Sequence, residues 1–299
     1  MAMVEGVRVG APEPRPGLGT LVIVFSAACF GMVGTMARLA YDGGSNPLTI
    51  ALLRALAVVA VGGSAVLALR RRFGLPRPAL RASLWLAAGT LTVACGFLGS
   101  VAFIPVSLSA LILYTYPLIV GVLASLSGRE SLTAAKAFVL LAAFAGLALA
   151  LGPTFGALDT RGLGLAALAA IGNAGVVVFA GRALQGRDSL VMNVYTNLWS
   201  GLALGLFLFL AGGFALPATS TGWLGAGGTA AFYVGAFLGW FVALRLSSPV
   251  RMAVLYNLDA VVNILAGVLI LGERLTPLQI AGMLVVLACL VAVAARRGL

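Results

Sequence analysis

Residues 252–276 read MAVLYNLDAVVNILAGVLILGERLT, an apolar run that holds Tyr256, Asn257, Asp259 and Asn263 in its first half and closes on Gly272-Glu273-Arg274. Residues 109–133, SALILYTYPLIVGVLASLSGRESLT, fall on it at one constant offset: Ala110 on Ala253, Glu130 on Glu273, Leu132 on Leu275 and Thr133 on Thr276. The run is long enough to cross a bilayer as a helix. A carboxylate inside such a run is expensive and marks a functional candidate. A segment of this kind occurring twice points to a chain built from two copies of one unit.

The whole composition agrees. Of 299 residues 62% are hydrophobic and only 9% charged, with a mean hydropathy of +1.11. Soluble domains hold about 45–50% apolar and about 25% charged residues, so most of this chain must face lipid or other membrane helices. The net charge of +11 would suggest nucleic acid in a soluble protein. Here the basic residues occupy short loops, no nucleic-acid module is present, and no nucleic-acid partner is expected. Cys29, Cys95 and Cys289 all lie in apolar spans and read as small hydrophobes rather than a disulfide framework. With no histidine, the commonest base and metal ligand is missing, and no phosphate-binding loop appears. No cofactor, metal or enzymatic activity is expected.

Residues 1–18 are polar and proline-rich and read as a cytoplasmic tail. Ten apolar runs follow, at about 19–41, 47–69, 82–104, 106–127, 134–152, 162–184, 190–211, 222–246, 249–271 and 277–295, each near the roughly 20 residues that span a membrane as a helix. The alternating short segments of an outer-membrane barrel are missing. Placing the N-terminus inside gathers most Lys and Arg on that side, Arg70, Arg71 and Arg72 among them, and leaves Arg38, Arg161 and Arg274 outside. That bias puts both termini in the cytoplasm. The expected protein is all-α and integral to the membrane. It has ten transmembrane helices in two five-helix repeats, 19–152 and 162–295, joined by 153–161 and followed by a cytoplasmic end at 296–299. Five spans is an odd number, so the two units enter the membrane from opposite sides and are inverted.

Arg54 and Asp259 are the two strongest anomalies, charges deep inside spans. At 1.5 Å per residue, Arg54 lies roughly 10 Å below the outer boundary and Asp259 near the midplane. They either pair with each other or hold a charged substrate group, unless neighbouring polar groups satisfy them. Tyr256, Asp259, Asn263 and Gly267 share one helix face, with Asn257 beside it. Span 7 presents Asn193, Asn197, Gly201 and Gly205 at i+4 steps, and Asn197 is the repeat partner of Arg54. Asparagines at membrane depth also serve as interhelical glue. Span 8 carries Thr229, Tyr233 and Trp240 on one face with Phe237 alongside, and span 4 carries Tyr114 and Tyr116 ahead of Pro117. Such aromatics can stack on a flat substrate and hydrogen-bond it, whereas Trp85 and Trp223 near span ends read as interface anchors. The candidate substrate-binding set is therefore Asp259, Arg54, Tyr256, Asn257, Asn263, Asn193, Asn197, Tyr114, Tyr233 and Trp240, with Pro117 as a hinge.

These residues carry a resemblance. Leu271-Gly272-Glu273-Arg274-Leu275-Thr276 with Gln279 and Gly282, Glu130-Ser131-Leu132-Thr133 in the first half, Arg54 in span 2 and Pro117 in span 4 are similar to the EamA-type members of the drug/metabolite transporter superfamily, over nearly the whole chain. Two departures stand out: Ala260 follows Asp259 where the family has proline, and Val139 replaces a glycine in the first unit. Within the superfamily the chain looks like the YddG-type branch. That resemblance implies a ten-helix basket around a central cavity that exports amino acids, aromatic ones foremost; the expected setting is a bacterial inner membrane, with a monomer as one option and the oligomeric state open. Another small metabolite or an organic cation stays open as substrate, as does proton antiport through Asp259 against uniport.

Overall fold

The computed structural model describes residues 16–101, 103–126, 133–152, 158–272 and 274–295. Most of the tail, the final four residues, part of the joining loop, and both junction glutamates, Glu130 and Glu273, lie outside the described residues. The chain forms twelve helices: α1 Pro16–Asp42, α2 Pro47–Ala68, α3 Arg77–Val101, α4 Val106–Leu113, α5 Tyr116–Leu126, α6 Ala134–Leu151, α7 Thr160–Ala183, α8 Ser189–Ala211, α9 Ser220–Leu246, α10 Pro249–Leu255, α11 Leu258–Leu271 and α12 Pro277–Ala295. They make ten membrane spans, because α4 with α5, and α10 with α11, each share one. No strand occurs among the described residues.

Polar side chains fix the helix starts by accepting backbone N–H groups that have no partner within the helix. Asn46 Oδ1 accepts from the Thr49 amide at 2.8 Å, ahead of Pro47 at the first helical position. The junction motif has the same use in both halves. Thr133 caps α6. Thr276 accepts from the Gln279 amide at 3.3 Å while Gln279 Oε1 accepts from the Thr276 amide at 2.9 Å, a reciprocal cap. Gly282 of that motif lies where α12 crosses α6, and a Cβ there would stand 2.5 Å from the Gly146 carbonyl oxygen and 2.8 Å from Leu149 Cβ.

Helices pair across the halves rather than within them. The first span lies along the eighth (α1 on α9) and the sixth along the third (α7 on α3). The second packs on the seventh (α2 on α8) and the fifth on the tenth (α6 on α12). Exchanging the halves maps the first pair onto the second and the other two onto themselves, which is what a pseudo-two-fold axis requires. The lipid supplies no hydrophobic drive for these contacts, so shape selects the partners. At the α1–α9 seam a Cβ on Gly239 would lie 2.8 Å from Ser26 Cβ. Gly201 and Gly205 meet α2 at ordinary contact distance, 3.7 and 3.8 Å. The outer girdle is apolar: Leu269 is 83% and Trp85 70% exposed, as lipid-facing side chains must be.

The two-fold is not exact, and the departure at its centre concerns the interrupted spans. α5 packs against α10, but α4 and α11, onto which the exchange maps that pair, make no comparable contact. The bundle is closed between spans 4 and 9 at one end and parted at the other.

Candidate substrate site at the interrupted helices

Both interruptions fall at mid-span. In span 4 the helical ladder shortens where the Thr115 amide bonds the Ile112 carbonyl oxygen at 3.1 Å, and Pro117, in the first turn of α5, has no N–H to give. Span 9 lacks a proline yet breaks at the matching place: the Asn257 amide bonds the Val254 carbonyl oxygen at 3.0 Å and the Asp259 amide that of Tyr256 at 2.9 Å. Here Ala260 stands where the repeat has Pro117, and the ladder shortens at the Asn257 and Asp259 amides all the same. Spans 4 and 9, each read from the sequence as one apolar run, are therefore each two helices.

The interruptions face each other. The Tyr114 hydroxyl, at the end of α4, donates to Asp259 Oδ1, in the first turn of α11, at 3.0 Å. Behind it Tyr256 is buried, and its hydroxyl bonds the Ser26 hydroxyl, which donates in turn to the Ala236 carbonyl oxygen. α1 reaches this point because Gly31 has no side chain: a Cβ there would lie 2.5 Å from the Asp259 carbonyl oxygen and 2.6 Å from Val262 Cβ.

Phe30, one residue before that glycine, is the hub of an aromatic cluster. Its ring stands edge-on to Tyr233 at 5.9 Å, to Tyr256 at 6.0 Å and to Phe237 at 6.2 Å. Tyr233 stacks on Phe237 at 5.0 Å, and Phe237 on Trp240 at 5.9 Å. At the far side of Tyr233 the Arg54 guanidinium lies over the ring, 4.6 Å from its centroid, a cation–π contact. Arg54 and Asp259 do not pair. The ion pairs among the described residues are Arg38–Asp42 and Arg71–Asp188. A fixed cation and a fixed anion thus stand apart, with aromatic rings between them. Phe30, Tyr114, Tyr233, Trp240, Arg54 and Asp259 all keep part of their surface exposed, while Phe237 and Tyr256 are buried behind them.

The asparagines are placed differently. Asn193 donates to the Phe237 carbonyl oxygen at 2.7 Å, tying α8 to α9, and Asn197 donates to the Asn193 carbonyl oxygen at 3.0 Å within α8. Asn263 Oδ1 accepts from the Thr35 hydroxyl at 3.3 Å, tying α11 to α1. Asn257, in the span 9 interruption, is 3% exposed, and its Oδ1 has no hydrogen-bond partner among the described residues. Sequence reading missed Ser26 and Phe30, which carry no charge and sit in an unremarkable apolar span; their spacing of four residues from each other, just ahead of Gly31, was the only available signal. Two hollows of about 360 and 330 Å³ lie along α7, against α5 and α3, away from this cluster. No group of three or more potential metal ligands occurs among the described residues.

Comparison with known proteins fits this geometry. No curated protein matches the chain. One crystal structure of a protein covers 93% of this chain and 97% of its own with a TM-score of 0.80 at 18% identity, a likeness of fold. The model of the EamA-like transporter family matches residues 17–152 and again 160–295. Two copies of one helical unit, packed about a pseudo-two-fold with interrupted spans at its centre, place this chain in the EamA-like transporter family of membrane transporters for small substrates.

Proposed function

We propose that the protein exports amino acids, aromatic ones foremost, by alternating access between its two five-helix units, 19–152 and 162–295, in the inner membrane of a bacterium. The observation that carries this reading is the separation of Arg54 from Asp259 by one aromatic cluster. An amino acid is a zwitterion, and two unpaired charges of opposite sign suit its two ends. The Asp259 carboxylate takes the ammonium group while Tyr114 holds the carboxylate in place. The Arg54 guanidinium takes the carboxylate of the substrate through donors that its contact with Tyr233 leaves free. Phe30, Tyr233 and Trp240 offer ring faces and edges to an aromatic side chain. Tyr256, Asn193, Asn197 and Asn263 hold the helices that carry these groups, and Pro117 loosens span 4 where it must bend.

With both termini cytoplasmic, as the Lys and Arg distribution favours, the packed α5–α10 end faces the cytoplasm and the parted α4–α11 end faces outward. The state is then outward-open.

Uptake of labelled tryptophan into liposomes containing the purified protein tests the proposal, with empty liposomes as blank. Saturable uptake that phenylalanine blocks is expected, and competition by threonine measures the breadth of the site. No uptake above the blank, with binding of an organic dication instead, would discard the amino-acid reading in favour of cation export through Asp259. Repeating the assay with an imposed pH gradient separates proton antiport, which responds to it, from uniport.

A further inference from the structure

The constant offset between the halves pairs Tyr114 with Asn257 and Tyr116 with Asp259. In the state described here the bond between the interruptions joins the first position of one half to the second position of the other: Tyr114 to Asp259. The packing between spans 4 and 9 is equally one-sided, α5 on α10 without α4 on α11. When an inverted-repeat carrier changes face, each half takes up the conformation the other had, so every such one-sided contact gives way to its counterpart. The counterpart of Tyr114–Asp259 is Asn257–Tyr116.

The chemistry of that second pair is complementary. Tyr116 offers a hydroxyl donor, and Asn257 offers an amide oxygen. Tyr116 is buried at the start of α5. Asn257 Oδ1 is buried without a partner among the described residues, a costly condition that native structures avoid unless the group has a use elsewhere. We propose that Tyr116 and Asn257 are the positioning pair of the opposite-facing state, in which the Tyr116 hydroxyl donates to Asn257 Oδ1 as that of Tyr114 does to Asp259 here. The unsatisfied oxygen of this state is then the acceptor of the next one. This rests on the protein being a two-state transporter and not on its substrate.

The test is a distance measurement by pulsed electron spin resonance between labels at Val106 and Leu269, in the full chain with Cys29, Cys95 and Cys289 replaced. Both positions are exposed to lipid and lie at the parted end of α4 and α11, so the distance shortens in the opposite-facing state. Tyr116→Phe removes one oxygen and no bulk. It should lower the short-distance population about fivefold, the effect of one hydrogen bond. Asn257→Leu should do the same, and Asn257→Asp, which keeps an acceptor oxygen, should restore it relative to Asn257→Leu. Tyr114→Phe should move the population the other way. The double variant Tyr116→Phe/Asn257→Leu should shift no further than either single change, since both remove one bond. An unshifted population in Tyr116→Phe, an additive double variant, or a single distance in every variant would overturn the proposal. No substrate is needed, so failure of tryptophan transport would not be confused with failure of the switch.

Discussion

Replacing Asp259 by Asn separates the fold from the site in one step. The amide keeps an oxygen for the Tyr114 hydroxyl, now 3.0 Å from Oδ1. What it loses is the charge. A hydrogen bond to a charged group contributes about 1.5–3 kcal/mol and a neutral one about 0.5–1.5, so the folded state gives up about 1–2 kcal/mol. It regains part of that because a neutral amide is less costly to hold at membrane depth than a carboxylate. Binding has no such compensation. A substrate ammonium that meets an amide in place of a carboxylate forfeits a desolvated charge pair, about 2–5 kcal/mol. Even the lower bound weakens affinity about 30-fold. Calorimetric titration of tryptophan into the detergent-purified protein, beside a thermal unfolding scan, reads both quantities. The expected result is an unfolding temperature within a few degrees of the parent and tryptophan binding weakened at least 30-fold. Binding within about threefold of the parent, in a variant that unfolds normally, would refute the role given to Asp259.

Four further changes probe other parts of the same reasoning. Arg54→Lys keeps the charge but loses the planar group that lies 4.6 Å from the Tyr233 ring; because stacked arginine is not replaceable by lysine, KM for the amino acid should rise about tenfold, and an unchanged KM would show that only charge matters there. Phe30→Ala removes the hub of the cluster; it should cost about 3 kcal/mol of stability, the low end for a phenylalanine because Phe30 is half-buried, and should erase the preference for phenylalanine over threonine in competition assays. Gly282→Leu forces a side chain into the Gly146 carbonyl oxygen at the α6–α12 crossing and should destabilise by about 1–3 kcal/mol in thermal scans, with transport per folded molecule unchanged because the crossing is remote from the cluster. Arg71→Ala breaks an exposed ion pair with Asp188, 2.7 Å long, and should cost less than about 1 kcal/mol; a larger loss in chemical unfolding would mean that this contact locks one end of the bundle.

Part of the candidate site is legible in the sequence alone. Asp259 and Arg54 announce themselves because an ionisable group at membrane depth is costly wherever the helices go. Tyr233 and Trp240 follow from the period of one helix, since residues three and four apart share a face. Phe30 and Ser26 give no such signal: they matter only because Gly31 lets α1 close on the span 9 interruption, and sequence does not say which helix approaches. Asn193, Asn197 and Asn263 read equally well as site or as glue, and hydrogen bonds to Phe237, Asn193 and Thr35 now account for their side chains. The break in span 9 is the sharpest difference. Its expected cause, a proline, is absent, and Ala260 stands in its place, yet the amides of Asn257 and Asp259 bond three residues back rather than four.

The sequence by itself determined the class of molecule, the number of spans and the twofold repetition. A bilayer enforces those through one-dimensional rules: enough apolar residues to cross, backbone bonds closed within each helix, and an odd number of spans per unit. Even the junction motif was readable, since a threonine that caps a helix and a glycine that admits a neighbour are local requirements. The tertiary structure alone decided that Arg54 and Asp259 stay apart, that the first span joins the eighth, and that spans 4 and 9 meet at one end and part at the other. Hydropathy cannot choose among helices that are all equally soluble in lipid. That choice falls to shape and to a few interhelical hydrogen bonds, and these exist only once the helices have met.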